Sequence, residues 1–229
     1  ARNNIHIDIE KLNIIAVIPV KGKNAFLGGK PLISYTIEQA FQSKYISKVI
    51  VSTDNPELAK LSEEFGASVP FLRDKSLSED FVDIEKVLQY SMERMEDLKI
   101  YPDLIVYLEI TFPFRPKQLI DDMIVQLVEN GFDSVLAVRR ESRSIWSEND
   151  GRIERVDKGD IPRKYKEPCF IGLKGLCCVT HPEFVRKGSL LGERLGIYEV
   201  NNPYASIEAR GEEEFRMAEG LINNWAKNA

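Results

Sequence analysis

The chain has 229 residues, a length that suits one α/β domain. Hydrophobic residues make up 43% and charged residues 29% of it, which is ordinary for a globular protein and excludes an intrinsically disordered chain. The net charge of −5 argues against a nucleic-acid-binding protein, and no apolar run reaches the ~18 residues that a membrane span needs.

The cysteines and histidines limit the possible chemistry. Cys169, Cys177 and Cys178 form no CxxC pair and are odd in number, which disfavours both a disulfide framework and a zinc site, so we expect a reducing, cytoplasmic setting. The first residues have neither the apolar core nor the cleavage site of a signal peptide. His6 and His181 are the only histidines, which disfavours a histidine-based nucleophilic mechanism. Neither the dinucleotide-binding glycine motif nor the P-loop motif is present.

The predicted elements begin with alternating strands and helices. Residues 13–19 are a continuously apolar run ending at a proline, which is typical of a strand buried on both faces. The next strands are predicted at 48–52, 69–72, 104–108 and 134–138. Helices are predicted at 31–43, 55–65, 83–96 and 116–130, the second with Asn55 as its N-cap. This alternation predicts an α/β fold, with a mainly parallel sheet between two layers of helices.

Residues 139–174 break this alternation, because they are polar and show no long hydrophobic period. We expect an arm of irregular strands that leaves the main sheet. Strands at 176–179 and 197–200 and a helix at 212–225 then complete one domain over residues 1–229.

Three polar loops follow predicted strands, at the sheet edge where α/β proteins bind ligands. The loop at 21–24 sets two lysines beside a glycine, a composition that suits phosphate binding or a solvated turn. Residues 52–54 form a polar strand end or a helix cap. Arg115 follows the fourth strand, where it could hold a carboxylate or phosphate, or only start the next helix.

In order, these loops make the chain resemble the acylneuraminate cytidylyltransferases, the CMP-sugar synthetases. The segments that carry the resemblance read VIP, LGGKPLISYTI, VIVSTDNPELA, VPFLRDKSLSED and YLEITFPFRP. It runs from about residue 14 to residue 222. It implies a three-layer, Rossmann-like nucleotidyltransferase fold. The implied reaction transfers CMP from CTP to an acidic sugar of the nonulosonic-acid type, with Mg²⁺ as cofactor and pyrophosphate as second product.

The resemblance also implies site residues, motif by motif. The resemblance implies that the catalytic residues, which contact the triphosphate, are Lys21, Lys23 and Asn24. Those implied in nucleotide binding are Ser52, Thr53, Asp54 and Arg73. Those implied at the acidic sugar are Glu109, Arg115 and Lys174, and the implied metal ligand is Glu208. A purely structural role is the alternative for each of them.

Several positions depart from the family pattern. Glu109 stands where the family has glutamine, and Gly172 stands where it has an arginine for the sugar carboxylate, a role that Lys174 could take over. Arg210 replaces the second metal carboxylate and cannot ligate magnesium. The loop at 21–24 is shorter than in the family. Either it is genuinely shortened, or the natural protein carries a longer loop there.

The arm at 139–174 is the predicted dimer contact. Its apolar side chains would be costly to leave in water, and the family resembled here forms homodimers through an arm at this point. Lys164, Lys166 and Lys174 could then serve the anionic sugar of the partner subunit. An arm folded back on its own domain is the alternative. The alternative function is a relative with another substrate, or a non-catalytic one that binds nucleotide or acts as a partner subunit.

Overall fold

The structure is a computed structural model that describes residues 7–157, 159–162 and 164–228, with side chains up to residue 224. The strands are β1 (Ile14–Pro19), β2 (Phe26–Leu27), β3 (Lys30–Pro31), β4 (Lys48–Ser52), β5 (Leu104–Tyr107), β6 (Ser134–Glu141), β7 (Trp146–Asn149), β8 (Arg152–Arg155), β9 (Cys169–Gly172), β10 (Cys178–Thr180) and β11 (Leu195–Glu199). The helices are α1 (Leu32–Phe41), α2 (Pro56–Glu64), α3 (Ile84–Asp97), α4 (Leu119–Asn130), α5 (Pro182–Arg186) and α6 (Glu212–Asn228). Within this described part of the chain, no helix is both long and apolar enough to cross a membrane.

The main sheet is mixed but mostly parallel, which confirms the predicted fold class. Its strand order is β11-β6-β10-β5-β1-β4, with β9 also paired to β6. β1 pairs in parallel with β4 and β5, and β6 pairs in parallel with β11. β10 runs antiparallel between β5 and β6, and β9 is antiparallel to β6. The buried strands thus form one sheet with helices on both sides.

Successive residues of β1 face opposite layers of the core. Ile14, Ala16 and Ile18 pack with α1, α2 and α4 on one face of the sheet, whereas Ile15 and Val17 pack with α3 and α5 on the other. All five side chains are at most 1% exposed, which explains why this strand is apolar without alternation.

Local signals place the helix ends. The Asn55 side chain accepts hydrogen bonds from the backbone N–H groups of Glu57 and Leu58, which confirms it as the N-cap of α2. Gly131 ends α4 in the left-handed conformation, with φ of 61°. α4 begins at Leu119, three residues after the predicted start, because residues 116–118 form a turn first.

The predicted strand at 69–72 is wrong. One isolated bridge joins Ser68 to Ile50, and the chain then leaves the ladder. Pro70 has no N–H to continue the pairing, and the next backbone contact along β4 is Arg73 N to Thr53 O, at 2.8 Å.

The arm also differs from the prediction, because both of its ends stay in the main sheet. β6 continues to Glu141 and pairs there with β9. Between these strands, β7 and β8 form a separate hairpin that turns at Asp150 and Gly151, both at positive φ. The hairpin and the residues beyond it expose large apolar side chains: Trp146, Ile153, Val156, Ile161, Tyr165 and Phe170.

Candidate active site

A cavity of about 320 Å³ with both apolar and charged side chains on its wall opens beyond the carboxyl ends of β1 and β5. Its wall is built from the turn after β1, the segment between β4 and α3, the loop after β5 and one residue before α6. The polar side chains of this wall include Lys21, Arg73, Asp80, Glu109, Thr111 and Arg210. The site therefore lies at the sheet edge that the sequence predicts.

Glu109 sits at the centre of a hydrogen-bond network on this wall. The buried hydroxyl of Tyr107 donates to Glu109 Oε1, and Thr111 Oγ1 lies 3.3 Å from Glu109 Oε2. Arg210 Nη2 donates to the same Oε2 at 3.0 Å. Burial and the neighbouring carboxylate raise the pKa of Tyr107, which therefore stays a hydrogen-bond donor. A Cβ at Gly175 would lie 2.6 Å from Glu109 Oε2, so a larger residue there would displace this carboxylate.

Arg210 also pairs with Glu208, the predicted metal ligand. Arg210 Nε donates to Glu208 Oε1 at 2.6 Å, and this bond raises the pKa of the guanidinium. Among the described residues, no group of three or more histidine, cysteine or acidic side chains is placed to hold a metal ion. Glu208 and Glu109 both accept hydrogen bonds from Arg210, so the cation already occupies the carboxylates that a metal ion would need here.

Arg73 lines the cavity and at the same time braces its backbone. Its side chain donates to Ser52 O at 2.7 Å, to Val20 O at 3.2 Å and to Ser78 Oγ at 2.9 Å. Burial lowers its pKa. The Nε atom is buried and has no partner among the described residues. Arg73 thus joins the ends of β1 and β4, and one donor of its guanidinium is unsatisfied.

Arg115 lies in the interior of the protein and is 2% exposed. Its guanidinium donates to framework acceptors, namely the carbonyl oxygens of Glu109, Phe112, Gly175 and Leu176 and the side chains of Thr36 and Gln39. Burial lowers the pKa of Arg115 to about 10. It holds the loop after β5 against the chain before β10, whereas the resemblance implies direct contact with the substrate.

The two lysines of the first loop lie in different places. Lys21 Nζ forms an ion pair with Asp80 Oδ1 at 2.8 Å on the cavity wall, and this contact lowers the pKa of Asp80. Lys23 and Asn24 line a separate hollow beside α2. Gly22, at φ of 83°, turns the chain between them. The structure thus separates Lys23 and Asn24 from the cavity that holds Lys21.

The remaining predicted residues make local contacts in the structure. Ser52 and Thr53 are fully buried, with Ser91 Oγ 3.0 Å from Ser52 Oγ and Asn55 N donating to Thr53 Oγ1 at 3.2 Å. Asp54 is half-buried and close enough to Arg73 to affect its pKa. Lys174 pairs with Glu85 on α3 at 2.9 Å.

Tyr107, Asp80 and Arg210 belong to the cavity network but were not predicted as site residues. A tyrosine within a continuous apolar strand gives no signal beyond a core residue. Asp80 ends the segment VPFLRDKSLSED, which carries the resemblance, so that motif could have identified it.

The chain is similar in sequence to known proteins. The family model described as cytidylyltransferase matches residues 20–159. The CMP-N,N'-diacetyllegionaminic acid synthase of Legionella pneumophila is 35% identical over 117 residues, covering 48% of this chain and 50% of the relative. The pseudaminic acid cytidylyltransferase of Campylobacter jejuni is 34% identical over 113 residues, covering 49% and 48%. The matched chain spans about half the length of these two relatives.

Solved structures share the fold. The structure of CMP:2-keto-3-deoxy-manno-octonic acid synthetase complexed with CTP has a TM-score of 0.64 at 15% sequence identity, and the superposition covers 95% of this chain and 100% of that one. At this identity the likeness concerns the fold alone. The family model, in contrast, spans more than half of the chain and includes the turn after β1, the segment that carries Arg73, and the loop after β5. The chain therefore belongs to the cytidylyltransferase family.

Proposed function

We propose that this protein transfers CMP from CTP to an acidic sugar of the nonulosonic-acid class and releases pyrophosphate. The observation that carries the proposal is the cavity beyond β1 and β5, which has Lys21, Arg73 and Arg210 on its wall. The two relatives, a CMP-N,N'-diacetyllegionaminic acid synthase and a pseudaminic acid cytidylyltransferase, support this substrate class by their names.

In this reaction a sugar hydroxyl attacks the α-phosphate of CTP in line, and the protein contributes mainly orientation and positive charge. Lys21 exchanges Asp80 for a phosphate oxygen and stabilises the charge there. Arg73 fixes the ends of β1 and β4 around the nucleotide. Thr111 and Glu109 offer hydrogen-bonding groups to the sugar.

Magnesium enters this proposal only as part of the incoming Mg·CTP complex. We assign no protein ligand to it, because Glu208 is held by Arg210. We also propose that the protein is a cytoplasmic homodimer, with the hairpin of β7 and β8 at the contact.

A second candidate function is nucleotide binding without transfer. The specific observation in its favour is that acidic side chains already pair with Lys21 and Arg210 in the cavity. These carboxylates compensate part of the positive charge that phosphate transfer requires.

Pyrophosphate release separates the two functions. The assay combines each of CTP, UTP, ATP and GTP with Mg²⁺ and a panel of sugar acids that includes legionaminic and pseudaminic acids. We expect release with CTP and one nonulosonic acid. Binding of CTP without release with any sugar acid would favour the second candidate, and preference for another nucleotide would contradict the cytidine assignment.

Lys21→Ala tests the role of the cavity lysine within this assay. A charge-assisted contact to phosphate contributes about 1.5–3 kcal/mol, so we expect turnover to fall about tenfold or more. Lys11→Ala is the matched control, because Lys11 also forms an exposed ion pair, with Asp8 at 3.3 Å, but lies before β1. Equal rates for the two variants would exclude Lys21 from the reaction.

A further inference from the structure

Arg210 has a position in the cavity that its backbone fixes. Ala209 N donates to Thr111 O at 2.6 Å, which ties the chain before α6 to the loop after β5. The Ala209 side chain is 4% exposed and packs in a cluster with Leu27, Phe114 and Ile222. The next residue, Arg210, is therefore carried on an anchored segment.

The Arg210 side chain is held by two carboxylates and keeps donors for a third partner. Nε binds Glu208 and Nη2 binds Glu109, at 2.6 and 3.0 Å. Nη1 has no acceptor among the described residues, and 63% of the side chain is exposed. A guanidinium has five N–H donors in a planar fork, a geometry that matches carboxylate and phosphate oxygens.

The other two cations of the wall are held differently. Arg73 uses its terminal nitrogens on two backbone carbonyls and Ser78, and it is 4% exposed. Lys21 is exposed and pairs with the single carboxylate of Asp80, so its flexible side chain is held at one point. Arg210 is thus the exposed wall cation whose orientation is fixed by two carboxylates.

We propose that Arg210 is the oxyanion-binding residue of this cavity, with Glu208 and Glu109 as its positioning residues. Its guanidinium binds either a phosphate oxygen of the nucleotide or the carboxylate of the sugar acid. It places a fixed positive charge beside Glu208, the residue that the resemblance implies as a metal ligand. The proposal rests on the proposed function for the identity of the ligand, but not for the presence of the anion site.

Calorimetric titration in EDTA tests the proposal, because no metal then contributes to binding. The probes are CTP for the phosphate and N,N'-diacetyllegionaminic acid for the carboxylate. We expect Arg210→Ala to weaken one probe about tenfold or more, as loss of a charge-assisted bond predicts. Arg210→Lys keeps the charge but loses the fork, so it should restore part of the affinity. Arg216→Ala is the control, since Arg216 is also an exposed arginine paired with a glutamate, Glu212, on α6.

The probe that weakens identifies the source of the anion. Equal affinities of Arg210→Ala and Arg216→Ala for both probes would overturn the proposal, as would failure of the wild-type protein to bind either probe. Pyrophosphate release measured in parallel with Mg²⁺ keeps the two ideas separate. If the wild-type protein releases pyrophosphate but Arg210→Ala binds both probes with wild-type affinity, only the anion site is refuted. If Arg210→Ala weakens binding of a probe but the wild-type protein releases no pyrophosphate, only the transferase function is refuted. Near-ultraviolet circular dichroism of each variant confirms that it is folded.

Discussion

At the scale of single residues, the motif arginines differ in what they contact. Arg115 is closed in by backbone carbonyls, Arg73 is shared between the backbone and the cavity, and Arg210 is half open to solvent. An arginine that binds carbonyl oxygens from distant segments fixes the loops on which other side chains act. Its loss therefore affects the fold before it affects ligand binding.

Arg115→Ala is expected to destabilise the protein by about 3 kcal/mol or more, because it leaves several buried carbonyl oxygens without a donor. Urea unfolding of the variant measures this loss. Lys117→Ala is the matched control, since Lys117 is an exposed cation in the same segment. A normal unfolding midpoint together with weak CTP binding would instead indicate direct contact between Arg115 and substrate.

Arg210→Asp should replace the ion pairs of Arg210 with three neighbouring carboxylates, those of the new aspartate, Glu208 and Glu109. Such oxygen ligands favour divalent cations. We expect this variant to bind Mn²⁺, measured by electron paramagnetic resonance, more tightly than the wild-type protein. Arg216→Asp removes the same charge from α6 and controls for net charge. Equal Mn²⁺ affinity in the two variants would show that Glu208 and Glu109 are too far apart to act together.

The sequence could predict the chemical nature of the cavity residues but not how they pair. Glu109 and Arg210 are 101 positions apart, and each departs from the family pattern on its own. Only the fold brings them to 3.0 Å, where the acidic and basic replacements compensate each other. Lys21 and Lys23 show the opposite case, because neighbours in sequence separate when Gly22 turns the chain.

At the scale of elements, the base of the arm is closed by a buried acidic residue. The Asp157 side chain is 0% exposed and accepts from Lys166 Nζ at 2.6 Å and from Ile145 N at 2.7 Å. Arg155 and Lys166 lower the pKa of Asp157 below its ordinary value of 3.8. This contact also explains why Lys166, predicted to serve an anionic sugar, is buried.

Asp157→Asn should loosen the hairpin without unfolding the main sheet. Because the folded-state pKa of Asp157 is lowered, its contribution is complete above the ordinary pKa and is lost as pH falls through the folded-state value. We therefore expect the wild-type arm to resist limited proteolysis at pH 7 and to become sensitive well below pH ~4. The variant should be cleaved within the arm already at pH 7, and Asp150→Asn, at the exposed hairpin turn, should not. Equal cleavage of the two variants would contradict this role.

At the scale of the whole molecule, continuous apolar strands were enough to predict a sheet covered on both faces. The sequence could not predict that β10 runs antiparallel to β5 and β6. A strand of three buried residues can pair in either direction, and its direction depends on how the chain enters the sheet. For the same reason the return of β9 to the sheet has no local signal. Its four residues lie within a longer segment that is polar and irregular in sequence.

The hairpin of β7 and β8 predicts the state of assembly. Trp146 and Ile153, on the two paired strands, are 58% and 63% exposed, and exposed apolar side chains of this size are costly in water. A second copy of the chain offers the same apolar surface, and two-fold pairing would cover both. We expect light scattering to give a dimeric mass at micromolar concentration.

Ile153→Arg should convert this dimer into a monomer, because it puts a charge into the apolar contact. Met217→Arg is the matched control, since Met217 is 59% exposed on α6, away from the hairpin. A monomeric wild-type protein would contradict the prediction, and so would a dimer that survives Ile153→Arg, because it would place the contact on another surface. If activity is lost together with the dimer while CTP binding is kept, the hairpin contributes to the sugar side of the reaction and not to the nucleotide side.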